Sequence, residues 1–332
     1  MNPTALSEAR FARDRERVLG SRAFRRLAGK TQVVALPSDP LVRTRLTHTL
    51  EVSSIARELG RGLGLIETLV DAIALAHDLG HPAFGHAGEK ALAALVPGGF
   101  HHASHGVRVV TVLEPLDLAG EVVEGVLQHS KGRAGAIFVP RRKSLRREAK
   151  AVRAADLFAY ACHDLDDAYL LGVLHPREVP NEIVSVLGAQ PCEVRCALVA
   201  RTVRSSLERG DIALDGEAEL ALQSLRTFLY ERLYEGPRIA RQTAAIRSLI
   251  ESLWEVAMER PATFDAALAF IGLGRSIADS PAERFRDAVA SMTDRQVVEL
   301  SRMVGVRRTT RSFPTFRRCA PMQARLTPAM GT

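Results

Sequence analysis

Apolar positions recur every three or four residues along most of this chain, the spacing that lets a helix bury one face. The pattern predicts a basic helix over 5–28, with an apolar stripe of Phe11, Val18, Leu19 and Leu27, and an amphipathic helix opening at Arg43–Val52. Further helices are predicted over 66–78, from about Gly85, and over 101–113, 119–130 and 148–174. Beyond Pro176 come 180–187, 191–209, 215–234, 237–259, 262–274, 281–290 and 294–304. Ser280-Pro281-Ala282-Glu283 and Thr293-Asp294-Arg295-Gln296 are start signals of the capping-box kind. Alternation of apolar and polar residues convincing enough for a strand is missing throughout, and no internal repeat is visible. The predicted class is all-α.

Composition agrees, because Leu, Ala, Arg and Glu are plentiful and aromatics make up only 5%. At 332 residues and 46% apolar, the chain can bury a sizeable core. We expect a single helical domain over 1–332, with a core at about 40–175, a C-terminal helical region at about 176–305 and a basic tail at 306–332. No apolar run reaches the roughly 18 residues a membrane span needs, and the N-terminus is polar. The expectation is a cytoplasmic protein with no membrane partner. Cys162, Cys192, Cys196 and Cys319 suit reduced thiols; Cys192 and Cys196 lie one turn apart, but no second Cys/His pair completes a metal site, and buried thiols are expected. The net charge of +7 is compatible with phosphate-bearing partners without naming one. The basic loop 131–147 reads equally as solvated surface or as a patch for phosphate or weak single-stranded nucleic acid binding.

The candidate chemistry concentrates in Ala74-Leu75-Ala76-His77-Asp78-Leu79-Gly80-His81-Pro82-Ala83-Phe84-Gly85-His86-Ala87-Gly88-Glu89. Gly80 is placed to cap the preceding helix and Pro82 to stop it, so His77 and Asp78 fall on its last turn. Neighbouring side chains there differ in direction by only about 100°, so both can turn toward one ion. A lone histidine would ordinarily be a satisfied surface group; this density in an apolar setting favours a metal site. Arg45 and His48 share a face, letting Arg45 clamp an oxyanion that an ion near His48 also touches. Asp156, Tyr160 and Asp164 form one stripe among apolar neighbours, where a carboxylate needs a partner.

With its flanks, Ser21-Arg22-Ala23-Phe24-Arg25-Arg26-Leu27, Gly29-Lys30-Thr31-Gln32-Val33, Arg43 to Val52, the His77–Glu89 run and Ala155 to Asp164, the chain resembles the HD-domain deoxynucleoside triphosphate triphosphohydrolases, a dGTPase-like family. The resemblance is clear over roughly residues 20–175 and weak beyond. It implies an HD-domain helical fold with additional C-terminal helices. It makes His48, His77, Asp78 and Asp156 the ligands of one divalent metal, manganese or magnesium first, then iron, cobalt or nickel. It makes His86 with Glu89 a proton-transfer pair beside Asp78, Arg45 a phosphate contact, and His81 a pocket histidine near the phosphates. Tyr160 and Asp164 match residues that recognise the sugar 3′-hydroxyl. His102 matches a further pocket histidine, although Ala103 and His105 depart from the family's usual His-Asn and following Gln. Arg226 and Tyr234 align as phosphate and sugar contacts, or as inward packing of a helix.

The implied reaction releases a deoxynucleoside and inorganic triphosphate from a dNTP. Implied partners are that dNTP, a second dNTP as activator and further copies of the chain in a homo-oligomer. Two other readings stay open: an HD phosphohydrolase of different specificity (nucleotidase, phosphodiesterase or alarmone hydrolase), and a non-catalytic nucleotide or single-strand binder.

Overall fold

The computed structural model describes residues 3–37, 39–130, 145–273 and 280–306. Among them the chain forms fifteen α-helices and no strand, as the periodicity predicts. They are α1 (Pro3–Gly20), α2 (Arg22–Arg26), α3 (Arg45–Gly62), α4 (Glu67–Ala76), α5 (Gly85–Leu95), α6 (His102–Arg108), α7 (Gly120–Gln128), α8 (Arg147–Leu170), α9 (Asn181–Leu187), α10 (Pro191–Arg209), α11 (Gly216–Leu229), α12 (Pro237–Glu259), α13 (Pro261–Phe270), α14 (Pro281–Ser291) and α15 (Asp294–Met303). Residues 131–144 of the basic loop, the tail from 307 and Cys319 lie outside the described residues.

The predicted 5–28 helix is two helices. Ser21 adopts extended backbone and its Oγ accepts the Phe24 N–H at 3.0 Å, so a new helix is capped where one continuous helix was expected. Two helices continue into π turns, α6 through Val109–Leu113 and α11 through Tyr230–Tyr234. Such turns insert a residue per turn and re-aim the side chains beyond them.

Every residue of α4 from Leu69 to Ala76 is buried, which is what a helix apolar on all sides requires. It packs between α3, α1, α7 and α8, and α10 and α11 cover the far side of α8, giving one core from Phe11 to Leu233. A second core joins α5 to α12–α15 through Phe84, Leu92, Leu249, Leu253, Phe285 and Leu300. The candidate chemistry sits between the two. Cys162 is buried as expected, but Cys192 and Cys196 are exposed on α10, because the inward face of that helix is taken by Val194, Leu198 and Val199. No single helix among the described residues is long and apolar enough to cross a membrane.

Candidate active site

The helix α4 ends at Ala76, and His77 to Gly80 turn the chain over. Gly80 is not a left-handed cap, contrary to its expected role. A Cβ there would lie 2.1 Å from the His102 carbonyl oxygen and 2.2 Å from the Gly106 nitrogen. Glycine is needed because α6 crosses against it, and that crossing brings His102 to the site. Phe84 is left-handed (φ 61°), a conformation a bulky residue adopts only when its surroundings force it. Here the Asp294 carboxylate accepts the Phe84 N–H at 2.7 Å. Gly85 comes next at φ 54°, over Arg45 and the Thr31 carbonyl, and starts α5 with His86 and Glu89 on one face.

His48 from α3, His77 and Asp156 from α8 converge: His48 Nε2 lies 3.2 Å and His77 Nε2 3.7 Å from Asp156 Oδ1. Hydrogen bonds behind the rings set their tautomers. His77 Nδ1 donates to the Ala74 carbonyl at 2.6 Å, so its Nε2 carries the lone pair, buried and without a hydrogen-bond partner. His163 Nε2 donates to Glu51 at 2.6 Å, leaving its Nδ1 to accept from His48 Nδ1 at 3.3 Å. His48 Nε2 is thereby left with its lone pair as well. Burial holds His48 down to about 4 despite Asp156, so it is neutral near pH 7. Two borderline nitrogens and a carboxylate oxygen, one of them orphaned, are a donor set that suits a divalent transition metal.

Asp78 lies beside this cluster, its Oδ1 3.4 Å from His77 Nε2 and 3.3 Å from His81 Nε2. Its Oδ2 accepts from Arg45 Nη1 at 2.6 Å. Burial works against that charge, but His77 and Arg45 hold the carboxyl well below its ordinary range. Arg45 is completely buried under the Phe84–Gly85 turn, and its Nε and Nη2 lack a hydrogen-bond partner. It grips Asp78 from behind and is not on the cavity wall.

On the open side, His86 Nδ1 meets Glu89 Oε2 at 3.1 Å and His86 Nε2 meets the Tyr160 hydroxyl at 3.0 Å. Glu89 also receives the His102 backbone N–H and ring Nδ1–H, both at 2.8 Å. Burial opposes the Glu89 charge, but these donors keep its pKa far below normal. Burial lowers His86 too, with Glu89 pulling the other way.

These groups open into a cavity of about 1180 Å³, lined by Asp78, His81, His86, Glu89, His102, Asp156 and Tyr160, with Asp164, Arg226 and Tyr234 on its far wall. The Tyr234 hydroxyl donates to Asp164, whose carboxyl is pushed well up by burial and then by Asp167. Thus α11 and its π turn deliver Arg226 and Tyr234 to the same cavity as α8. Several residues at the site lie outside the sequence-predicted set. Gln32 lines the cavity with both amide atoms buried and without hydrogen-bond partners, and Lys90 offers a cation on α5. His129 lies behind His102, and His163 behind His48. The abundance of histidine around 101–129 is the available signal for His129; Gln32 stands in the Gly29-Lys30-Thr31-Gln32-Val33 motif, which gives it no role.

The HD domain matches residues 45–161, and the phosphohydrolase-associated domain matches 212–303. A deoxyguanosinetriphosphate triphosphohydrolase-like protein of Caldanaerobacter subterraneus subsp. tengcongensis is 38% identical over 293 residues, which is 86% of this chain and 81% of that protein. The chain belongs to this dGTPase-like family. A relative of the same name from Desulfatibacillum aliphaticivorans is 38% identical over 300 residues (86% and 84%). One from Deinococcus radiodurans, deoxyguanosinetriphosphate triphosphohydrolase-like protein 1, is 36% identical over 350 residues (90% of each). In this dGTPase-like chain the HD match encloses His48, His77, Asp78, His86 and Asp156, while Arg226, Tyr234 and Asp294 fall in the associated domain. It is a phosphohydrolase of the HD type, with clustered histidines and carboxylates fit for divalent metal.

Proposed function

We propose that this phosphohydrolase cleaves deoxynucleoside triphosphates to a deoxynucleoside and inorganic triphosphate. The observation that carries the reading is the Glu89–His86–Tyr160 chain of hydrogen bonds, opening onto the cavity beside the His48, His77 and Asp156 cluster. His48, His77, Asp156 and Asp78 would hold one divalent ion, manganese or magnesium in the first instance. Such an ion supplies a polarised phosphorus and an acidified water when bound.

The chain's own groups do the rest. Glu89 fixes the His86 ring and keeps a proton on Nδ1, so that Nε2 turns its lone pair to the reacting centre, takes a proton from the attacking water and hands it on to the leaving oxygen. Arg45 keeps Asp78 ionised and aimed. Lys90 and Arg226 lie on the cavity wall, where they neutralise the triphosphate chain. Tyr160, Asp164 and Tyr234 form the wall for the sugar, and the Tyr234–Asp164 hydrogen bond leaves that wall polar but rigid.

Purified protein incubated with each dNTP and Mn²⁺ or Mg²⁺ tests this directly. Equimolar deoxynucleoside and triphosphate are expected. Monophosphate or diphosphate products would assign a different HD phosphohydrolase activity, and binding without turnover would overturn the reading altogether. Asp78→Ala is expected to abolish turnover with its helical circular dichroism intact. His86→Ala is expected to lower kcat about 100- to 10,000-fold, the range general acid catalysis supplies.

A further inference from the structure

The phosphohydrolase-associated domain, residues 212–303, reaches a stretch of chain that precedes the HD match. Residues 32–36 belong to no helix or strand, yet Gln32, Val34 and Ala35 are buried. Buried main chain outside regular structure has to find its hydrogen bonds elsewhere. For Ala35 they come from Gln242 of α12. Gln242 Oε1 accepts the Ala35 N–H at 3.2 Å, and its Nε2 donates to the Ala35 carbonyl at 3.1 Å. A carboxamide carries an acceptor and a donor side by side, as a peptide group does, so it pairs with both main-chain groups of one residue. Gln242 is itself buried, at 2% exposure. The next residue, Leu36, is left-handed at φ 46°, a conformation that a bulky residue keeps only when its surroundings impose it. At the near end of the stretch, the Asp294 carboxylate accepts the Thr31 N–H at 3.0 Å.

We propose that Gln242 is a positioning residue for substrate: through Ala35 it holds residues 32–36 in place as a wall of the cavity, which gives the associated domain a part in binding. Naming the ligand rests on the dNTP reading; the clamp does not. Gln32 and Val33 line the cavity just ahead of the clamped residue, together with Ile239 and Gln242 itself. Both Gln32 amide atoms are buried without a hydrogen-bond partner, so the main chain beneath it decides where that side chain stands. Val34 packs with Val42, Leu171 and Ile239, and Ala35 sits in the second core with Leu36 packed on it. Apolar contacts of this kind fix how deep the stretch lies. The two directional bonds at Ala35 fix which way its residues face. Without Gln242, Leu36 is free to relax to extended backbone and turn the wall. A wall correctly placed for only part of the time weakens binding by that fraction, while the complex, once ordered, reacts as before. Loss of Gln242 therefore acts on KM and spares kcat.

Gln242→Met keeps the length of the side chain and removes both bonds. In the full-length protein without ligand, amide hydrogen exchange over residues 32–36 is expected to quicken about 10- to 100-fold, the worth of two net hydrogen bonds, with α8 and α14 exchanging as in the parent. KM for the dNTP is expected to rise by a similar factor, with kcat within about twofold of the parent's. Gln242→Asn keeps the amide but is one methylene short; it should move both readouts the same way and guards against misfolding of the first variant. Unchanged exchange would overturn the clamp. Faster exchange at unchanged KM, or a lower kcat at unchanged KM, would overturn the positioning role. Faster exchange along the whole chain in both variants would make Gln242 a structural residue only and overturn it as well. A parent protein that leaves every dNTP intact fails the proposed function instead, and exchange over residues 32–36 then decides the clamp by itself.

Discussion

His48 and His77 are useful to a metal only in one tautomer, and the groups that choose it are not ligands. For His77 the choice is local, a backbone carbonyl three residues earlier on the same helix end. For His48 it is relayed: Arg43 holds Glu51, Glu51 takes the His163 Nε2 proton, and His163 Nδ1 takes the proton of His48 Nδ1. Burial disfavours the Glu51 charge, but His163 and Arg43 bring its pKa down to about 2, so the relay is intact at neutral pH. Replacing His163 by Phe keeps the packing volume and removes the acceptor. The expected result is a 10- to 100-fold loss of Mn²⁺ affinity in a chelator competition, the usual effect of deleting such an outer partner. Unchanged affinity would show that His48 does not depend on this relay.

At the scale of elements, the site is assembled by crossings that leave no room for error. The approach of α6 to the turn after α4 brings His102 to Glu89, and Gly80 is what allows it. Gly80→Ala would push a methyl into the His102 carbonyl and the Gly106 nitrogen, both main chain and unable to swing aside. A cost of about 3 kcal/mol is expected in denaturant unfolding, the upper end for overpacking, with turnover lost alongside. A variant as stable and active as the parent would show that α6 can retreat. The helix α5 belongs to the second core, packed on α12, so His86 stands on one core while His48, His77 and Asp156 stand on the other.

Across the whole molecule, the join between those cores is polar and buried. Lys30 Nζ donates to the His81 carbonyl at 2.6 Å and to the Ala290 carbonyl at 2.7 Å. Asp294 holds the Phe84 N–H, and also the Thr31 N–H at 3.0 Å, tying α15 to the turn that presents His86. Burial, then Arg26 and Arg45, lowers the Lys30 amine from 10.5 to about 7. A depressed amine pKa means the unfolded chain holds more protons between those two values, so stability rises with pH across that window. The Lys30 contribution is fully present above 10.5 and lost as pH falls through about 7. Its ceiling is about 5 kcal/mol, from the size of the shift. Lys30→Met removes the titrating group, so the gap between its unfolding free energy and the parent's should change across pH 7 to 10. Parallel curves would refute a depressed Lys30.

The helices, their approximate ends and the all-α class were legible in the residues, because amphipathic spacing and capping signals act within a few positions. The family motifs likewise point to His48, His77, Asp78, His86 and Asp156 from the sequence alone. Other features depended on contacts between segments far apart in the chain. Gly80 looked like a cap and proved to be a crossing point, since nothing near it in sequence reports where α6 lies. Arg45 looked like a phosphate clamp and is buried against Asp78, a partner 33 positions away. Gln32, His129 and His163 become site residues only when the Lys30–Leu36 segment, α7 and α8 are brought to one cavity and its surroundings. Spacing along one helix decides which residues share a face; which faces meet, and so which proton sits on which nitrogen, is decided by the tertiary packing.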